Sequence, residues 1–333
     1  MKDFIVLGIE TSCYETSAAV LKNGREVLSN VINSQIEIHK VYGGVVPEIA
    51  SRCHTEVISQ VVKLSLEKAN LTFKDIDVIA CTYGPGLIGA LLVGVSYAKG
   101  LSYSLGKPLV AVNHIEGHIA ANYITHKDLK PPFLCLIISG GHTHLVNVKD
   151  YTKFEILGKT RDDAIGEAFD KAARVLGLGY PGGPKIDVLA KEGKPVIPLP
   201  KTNIEFFDFS FSGLKTAIIN YYSKNPDLNK ADLCMSFEKT AADMLMSKTF
   251  EAAKKYRIHK IVLAGGVSAN SYIRGEFAKL SEKENMQIYY PELEYCTDNA
   301  AMIAAVALDR YKAGRFATLA DDAFAGSNLE SPY

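Results

Sequence analysis

Two histidines at helical spacing could hold a metal ion. His114 and His118 lie four residues apart in the stretch NHIEGH, at 113–118. Residues with this spacing share one face of a helix, and two neutral imidazoles on one face can reach the same ion. The same spacing also occurs between unrelated surface histidines, and that alternative stays open at this point.

A zinc-protease site is excluded by the position of the glutamate. That motif, His-Glu-x-x-His, places its glutamate directly after the first histidine. Here Glu116 follows His114 by two residues, which turns it about 200° away at roughly 100° per residue. Glu116 therefore cannot serve as the base of such a protease.

A predicted strand and a glycine turn follow the histidines. The apolar run at 133–138 predicts a buried strand, which ends at Ser139-Gly140-Gly141. Such a turn can direct backbone N–H groups at an anion, and ligands gather at the carboxyl ends of strands in open α/β folds. A metal pair beside an anion-binding turn suggests a phosphorylated or adenylated small molecule as ligand.

The elements that position these groups form an α/β pattern with an internal repeat. A strand, a polar turn and two further strands at 4–32 recur at 133–159, although the two copies share little sequence identity. The periodicity also predicts strands at 77–83, 109–112 and 260–264 and helices at 47–70, 90–105, 163–176, 230–257 and 300–313.

Asp298 has two possible roles. It precedes the predicted helix at 300–313, where an aspartate is a favourable N-cap. It would equally complete a His/His/Asp set suited to Fe(II) or Zn(II). The residues alone leave these two roles even.

Three further polar residues are candidates for ligand binding, and two of them have an alternative structural role. Asp170 stands four residues before Arg174, as in a helix-surface ion pair. Asp187 follows a glycine-rich turn but could be a solvated surface charge. Asn270 follows Gly265 and Gly266 after a predicted strand, where its side chain can bond a ribose or a base.

The composition limits the class of protein. The chain has 333 residues, enough for about two domains, and zero net charge. No overall field therefore attracts nucleic acid, and an RNA contact needs a local patch or a partner. Six cysteines without a Cys-x-x-Cys pair indicate a reduced, cytoplasmic chain. The apolar runs are too short for a signal peptide or a membrane span, so we expect no membrane partner.

The motifs taken together resemble the bacterial TsaD family, also called YgjD or Gcp. The stretches that carry the resemblance span residues 8 to about 305 in order: GIETSCYET, YGGVVPEIASR, YGPGLIGALLVG, NHIEGH, SGGHT, DDAIGEAFDKAARVLGLGYPGGP, FSFSGLKT, AGGVSAN and CTDNAAMIA. The family usually has an aspartate where this chain has Tyr14, so a carboxylate role at that position does not transfer.

The resemblance implies an α/β protein with the actin-like ATPase (ASKHA) fold. Two related α/β domains would have a ligand cleft between them. The N-terminal domain would comprise 1–113 plus about 298–333, with a returning C-terminal helix, and the C-terminal domain would comprise 114–297.

The resemblance also implies an acyltransferase. The family transfers a threonylcarbamoyl group from threonylcarbamoyl-adenylate to N6 of adenosine 37 in tRNAs that read ANN codons, forming t6A and releasing AMP. Partners implied are tRNA, a TsaB-like paralogue and a TsaE-like ATPase. The alternatives are an ATP-hydrolysing or kinase-like protein of the same fold, or a non-catalytic scaffold of the t6A complex.

Site residues follow by matching this sequence to the family motifs. One divalent metal, Fe(2+) or else Zn(2+), would be bound by His114, His118 and Asp298. The only candidate for a catalytic base is Glu15. The adenylate or ATP-type nucleotide would contact the following residues: Ile137, Ile138, Ser139, Gly140, Gly141, Asp170, Gly183, Asp187 and Asn270.

Overall fold

The chain divides into two compact units. A computed structural model describes residues 3–202, 204–326 and 329. Unit 1 comprises Met1–Leu129 with Pro291–Tyr333, and unit 2 comprises Lys130–Tyr290. Part of the predicted N-terminal domain, namely 1, 2, 327, 328 and 330–333, lies outside the described residues.

Unit 1 is built on a five-stranded mixed sheet. Its strands are β1 (Ile5–Glu10), β2 (Glu15–Lys22), β3 (Glu26–Ser34), β4 (Val78–Gly84) and β5 (Leu109–Asn113). The order is β3-β2-β1-β4-β5, with β1, β2 and β3 antiparallel and β4 and β5 running parallel to β1. Every residue of β1, β4 and β5 is buried, as expected of strands covered on both faces.

Unit 2 repeats this topology with a different sequence. Its strands are β6 (Phe133–Ile138), β7 (Thr143–Asp150), β8 (Lys153–Lys159), β9 (Lys260–Ala264) and β10 (Gln287–Tyr289). Here β6, β7 and β8 are antiparallel, and β9 and β10 run parallel to β6, in the order β10-β9-β6-β7-β8. The internal repeat predicted from the sequence is therefore confirmed at the level of strand order.

Ten helices flank the sheets in the part of the chain that the structure describes. Those of unit 1 are α1 (Ile36–Val41), α2 (Pro47–Lys68), α3 (Ile88–Leu105), α4 (His114–Thr125) and α10 (Ala300–Lys312). Those of unit 2 are α5 (Ile165–Val175), α6 (Gly182–Ala190), α7 (Ser212–Lys224), α8 (Lys230–Tyr256) and α9 (Ser271–Lys283). Short 3-10 turns lie at Phe73–Asp75, Gly266–Ala269 and Leu293–Tyr295.

Helix α3 is long and apolar enough to cross a membrane, judged by length and composition alone. Its side chains Leu91, Val95 and Ala98 lie in the hydrophobic core of unit 1. In all, 33% of the helix is buried, and length and apolarity alone do not separate a helix of a globular unit from one that crosses a membrane.

A buried ion pair ties α10 to α4. The guanidinium of Arg310 donates two hydrogen bonds, of 2.8 and 2.7 Å, to the carboxylate of Glu116. A third bond of 3.1 Å goes to the carbonyl of Ala111 in β5. Both charged side chains are almost fully buried, at 2% and 3% exposure, so each depends on the other for compensation of its charge.

These contacts place the domain boundary differently from the sequence prediction. That prediction ended the first domain at residue 113 and resumed it at about 298. In the structure α4 belongs to unit 1 because it packs on α10 and β5, and the chain returns to unit 1 at Pro291. The physical reason is the Glu116–Arg310 pair, which joins positions 194 residues apart.

We predict that Glu116→Ala lowers the free energy of unfolding by about 3–5 kcal/mol, because it leaves a buried guanidinium without its counter-charge. Urea denaturation followed by circular dichroism measures this loss. Replacing both partners, as Glu116→Leu with Arg310→Met, should restore most of the stability.

The matched control is Glu48→Ala, which removes an exposed pair with Arg52 on α2. An exposed pair contributes about 0–1 kcal/mol, so this variant should unfold close to the wild-type midpoint. A wild-type midpoint for Glu116→Ala would contradict the anchoring role of the buried pair.

Candidate functional site

Strand β5 and helix α4 place both histidines. The side chain of Asn113, at the end of β5, caps α4 by accepting from the Ile115 N–H at 2.9 Å. His114 is thereby the first residue of α4, and His118 follows one turn later on the same face. Their rings lie edge to face, with centroids 4.6 Å apart.

Asp298 reaches both imidazoles. One carboxylate oxygen, Oδ1, lies 3.4 Å from Nε2 of His114 and 3.4 Å from Nε2 of His118. The N-cap of α10 is the neighbouring Asn299, whose side chain accepts from the Met302 N–H at 3.0 Å. The N-cap interpretation of Asp298 is therefore wrong, and its carboxylate is left for the histidines.

This cluster fits a divalent metal ion. One ligand atom from each of the three side chains lies within 4.8 Å of the others. Nδ1 of His118 is buried and has no hydrogen-bond partner among the residues described, and its Nε2 faces the Asp298 oxygen at 3.4 Å. Unpaired buried imidazole nitrogens are costly unless something binds them. Two imidazoles and one carboxylate form a donor set suited to Fe(II) or Zn(II).

The charges of the cluster depend on one another. Burial disfavours the imidazolium form of His114, but the carboxylates of Asp298 and Glu10 outweigh it and raise the pKa of His114 to about 10. Burial lowers the pKa of His118. Burial alone would raise the pKa of Asp298, yet the attraction of His114 holds it well below its usual range. The site thus keeps an anionic carboxylate beside two buried imidazoles.

Glu10 is a contact of this cluster that the sequence reasoning missed. Its side chain is fully buried at the end of β1, and Oε2 lies 3.0 Å from Nδ1 of His114. The hydroxyl of Thr82 donates to the same oxygen at 2.6 Å, and the Ser12 N–H donates to Oε1. The available signal was a lone acidic residue ending an otherwise apolar strand.

Glu15 begins β2 and keeps one carboxylate oxygen unsatisfied. Ser34 donates to Oε1 at 2.9 Å, while Oε2 is buried without a partner in the described chain. Burial, reinforced by the negative charge of Asp298, raises the pKa of Glu15 to about 7. A carboxyl group that exchanges its proton near neutral pH has the property a general base requires.

In unit 2, strand β6 ends in the predicted anion turn. The Ser139 N–H donates to the carbonyl of His142 at 2.8 Å, so it closes the turn and is used within it. A Cβ added to Gly140 or Gly141 would meet no atom within 4 Å, which leaves room for a ligand there. The side chains of Ile137 and Ile138 are completely buried, so they can only shape the strand that carries the turn.

Asp170 organises the second glycine turn. Its Oδ1 accepts from the Gly182 N–H at 2.7 Å, at the start of α6. A Cβ on Gly182 would approach the Asp170 Cα to 2.7 Å, whereas one on Gly183 would meet nothing. Asp170 therefore holds the backbone of this turn, and Gly183 faces open space beside it.

Asp187 and Asn270 both interact with the start of helix α9. The side-chain oxygen Oδ1 of Asn270 caps α9 by accepting from the Ile273 N–H at 2.8 Å. The side-chain nitrogen Nδ2 of Asn270 donates to Oε1 of Glu238 at 2.5 Å. The hydroxyl of Ser271 donates to Asp187 at 2.7 Å. An amide carries two N–H donors, so one donor of Asn270 is without a bond among the residues described.

Glu238 on α8 is a second residue that sequence reasoning missed. It is 1% exposed, and burial raises its pKa to about 7. Nothing in the sequence marks it, because a glutamate within a long helix reads as an exposed residue. Its carboxyl group accepts a hydrogen bond from the Asn270 side chain and so helps to orient that side chain.

Comparison with known proteins identifies the family. The profile described as "TsaD: tRNA N6-adenosine threonylcarbamoyltransferase" matches residues 26–305. A protein of that name from Clostridium kluyveri is 57% identical over 326 residues, 96% of each chain. One from Clostridium perfringens is 58% identical over 314 residues, covering 92% of this chain and 93% of that one. The chain belongs to the TsaD family.

Solved structures agree on the fold at low sequence identity. Component A of the Acidaminococcus fermentans (R)-2-hydroxyglutaryl-CoA dehydratase is 17% identical, with a TM-score of 0.57 over 93% of this chain and 98% of that one. HypF from T. kodakarensis is 15% identical, with a TM-score of 0.63 over 94% of this chain and 48% of that one. The predicted actin-like (ASKHA) fold of this TsaD-family chain is confirmed.

Membership of the TsaD family makes this protein a transferase that acts on tRNA and takes part in t6A formation. The family and enzyme class expected from the sequence are therefore confirmed. The individual site residues named from the resemblance stay predictions, with the geometry given above.

We predict that stability depends on pH through Glu238. Its folded-state pKa, about 7, lies above the ordinary value of 4.5. Stability from this group is therefore complete below about pH 4.5 and is lost as pH rises, because the unfolded chain ionises first. Between pH 5 and 8, wild type should lose about 2–3 kcal/mol relative to Glu238→Gln.

Urea denaturation of both proteins at the two pH values measures this difference. The matched control is Glu251→Gln, which changes an exposed glutamate on the same helix. The assignment of a buried, protonated Glu238 would be refuted by a wild-type-to-variant difference that stays constant across the range.

Proposed function

We propose that the protein transfers the threonylcarbamoyl group of threonylcarbamoyl-adenylate to N6 of adenosine 37, in tRNAs that read ANN codons. The new bond joins N6 to the carbamoyl carbon, and the bond from that carbon to the phosphate oxygen breaks. AMP leaves with the electron pair, and N6 loses one proton. The observation that carries the proposal is the His114–His118–Asp298 cluster in a chain of the TsaD family.

The chemistry sets what the protein must supply. The donor is an activated mixed anhydride with AMP as a good leaving group. The acceptor nitrogen is a poor nucleophile because its lone pair is delocalised into the adenine ring. The protein must therefore hold the donor in position and stabilise the charge that develops on the carbonyl and the departing phosphate.

His114, His118 and Asp298 would bind one metal ion per chain, which we take to be Fe(2+), with Zn(2+) as the alternative. When bound, the ion would supply Lewis-acid polarisation of a donor oxygen, either the threonyl carboxylate or the carbonyl. The three side chains would fix where that ion lies, and the burial of His114 and His118 would limit the access of competing water.

Residues of unit 2 would bind the adenylate. The glycines Gly140 and Gly141 have the space for a phosphate beside the end of β6. Asp187, held by Ser271, would accept hydrogen bonds from ribose hydroxyls. Asn270 would use its second amide N–H, and the open face beside Gly183 would take part of the adenosine.

Glu15 is our candidate for the group that receives the N6 proton. Its buried, unpartnered Oε2 and its pKa of about 7 allow it to accept a proton near neutral pH. The other carboxylates around the cluster, Glu10 and Asp298, are held in their anionic form by His114. They are therefore poorer proton acceptors than Glu15.

The partners and location are also part of the proposal. A chain of zero net charge has no overall attraction for tRNA. We therefore propose that it docks tRNA in the cytoplasm within a complex that includes a TsaB-like paralogue and a TsaE-like ATPase. A separate synthetase would make the donor.

We predict that His114→Ala lowers the bound metal and reduces t6A formation by about a hundredfold or more, because several kcal/mol of charge stabilisation are lost. The assay combines this protein with its partners, threonylcarbamoyl-adenylate and tRNA. Nucleoside mass spectrometry then quantifies t6A, and elemental analysis quantifies metal.

The control for this substitution is His126→Ala, at the end of the same helix but outside the cluster. It should keep both metal and t6A formation. Undiminished t6A in His114→Ala would remove the metal centre from the mechanism, and ATP hydrolysis without t6A in wild type would favour a kinase-like reaction instead.

We predict that Asp187→Asn raises the KM for threonylcarbamoyl-adenylate about tenfold while kcat stays near wild type. The reason is that a hydrogen bond to a charged acceptor contributes about 1.5–3 kcal/mol, in ground state and transition state alike. Steady-state kinetics with varied donor provides the test. Asp227→Asn, an exposed carboxylate of the same unit, is the control, and an unchanged KM in Asp187→Asn would refute the ribose contact.

A further inference from the structure

The environment of His114 differs from that of His118 in one respect. Nδ1 of His114 lies 3.0 Å from a carboxylate oxygen of Glu10 and 3.1 Å from the hydroxyl of Ser12. Nδ1 of His118 has no partner in the part of the chain that is described. The Nδ1 side of His114 is thus held by a charged acceptor, while the Nδ1 side of His118 has none among the residues described.

The carboxylate of Glu10 is itself fixed. The Ser12 N–H occupies Oε1, and the Thr82 hydroxyl donates to Oε2. Glu10 ends β1 and Thr82 lies in β4, and these two strands pair in parallel within the sheet. The pairing of β1 with β4 therefore helps to set the position of this acceptor, and Ser12, in the turn after β1, bonds its other oxygen.

A carboxylate is a hydrogen-bond acceptor only, so the nitrogen that faces it must carry the proton. With the proton on Nδ1, the lone pair of the neutral ring resides on Nε2. Nε2 is the nitrogen that lies 3.4 Å from Asp298. An imidazole that donates its far N–H to a carboxylate is also a more basic ligand than a free one.

We infer that Glu10 is a positioning residue for the metal centre, which orients His114 and fixes its tautomer so that Nε2 is the ligand atom. The inference rests on the proposed metal role of His114, His118 and Asp298. Glu10 itself does not touch the ion. Glu10 acts through the imidazole. Its loss should therefore change the affinity for the metal and the absorption spectrum of the bound metal, while the fold is kept.

The test is a cobalt(II) titration of the full chain at pH 8, followed by visible absorption. Glu10→Gln keeps the size of the side chain but removes the charge. We expect it to weaken cobalt affinity about tenfold to a hundredfold and to alter the ligand-field bands. Glu26→Gln removes an exposed carboxylate of the same unit, at the start of β3, and it should bind cobalt as wild type does.

Each outcome decides a different point. If wild type binds no cobalt, the proposed metal centre and this inference both fail. If wild type binds and Glu10→Gln shows the same affinity and spectrum, only the inference fails. Equal weakening in Glu10→Gln and Glu26→Gln would show a general charge effect and would also overturn the orienting role.

A second measurement needs no variant to fold. In zinc-loaded wild-type protein labelled with 15N-histidine, long-range proton–nitrogen correlation reports which ring nitrogen carries a proton. We expect His114 to have a protonated Nδ1 and a metal-bound Nε2. A metal-bound or unprotonated Nδ1 would overturn the inference.

Discussion

A single carboxylate oxygen shared by two buried imidazoles constrains much of unit 1. Oδ1 of Asp298 lies at the same distance, 3.4 Å, from both histidines. To keep these two distances, the start of α4 and the segment before α10 must hold a fixed position relative to each other. Burying a carboxylate and an imidazole costs free energy unless each charge is compensated. The Glu116–Arg310 pair holds the same two helices together further along, so one buried ion pair supports the geometry that another buried cluster requires.

The two sheets share their topology but not their chemistry. In each unit the first strand leads into an antiparallel hairpin and lies beside a parallel strand. In unit 1 that strand ends in Glu10, whose carboxylate faces His114. In unit 2 it ends in Ser139 and two glycines with open space beside them. A duplicated scaffold therefore presents a charged, acceptor-rich strand end in one copy and an open backbone turn in the other, which is how one fold accommodates different ligand groups.

Local patterns sufficed for most strands, for the histidine pair and for the repeat, because these depend on spacing within a short window. What they could not settle depends on distant contacts. Whether Asp298 or Asn299 caps α10 cannot be read from two adjacent capping residues, and the structure decides for Asn299. The short elements α1 and β10 carry too little periodicity to be found. Glu238 looked like a surface residue because its partner, Asn270, comes 32 residues later.

Tyr14 narrows the choice of catalytic base in this chain. The family resemblance places an aspartate there, whereas the Tyr14 ring packs with its centroid 6.0 Å from that of His39. A neutral phenol lacks the anionic oxygens of a carboxylate, so Tyr14 does not replace an aspartate as a proton acceptor. The adjacent Glu15 keeps a buried oxygen without a partner among the described residues, an arrangement that costs about 1–3 kcal/mol if nothing binds there. Since Glu10 is committed to His114 and Asp298 to both histidines, that unpaired oxygen is the site that we propose for the proton of the acceptor amine.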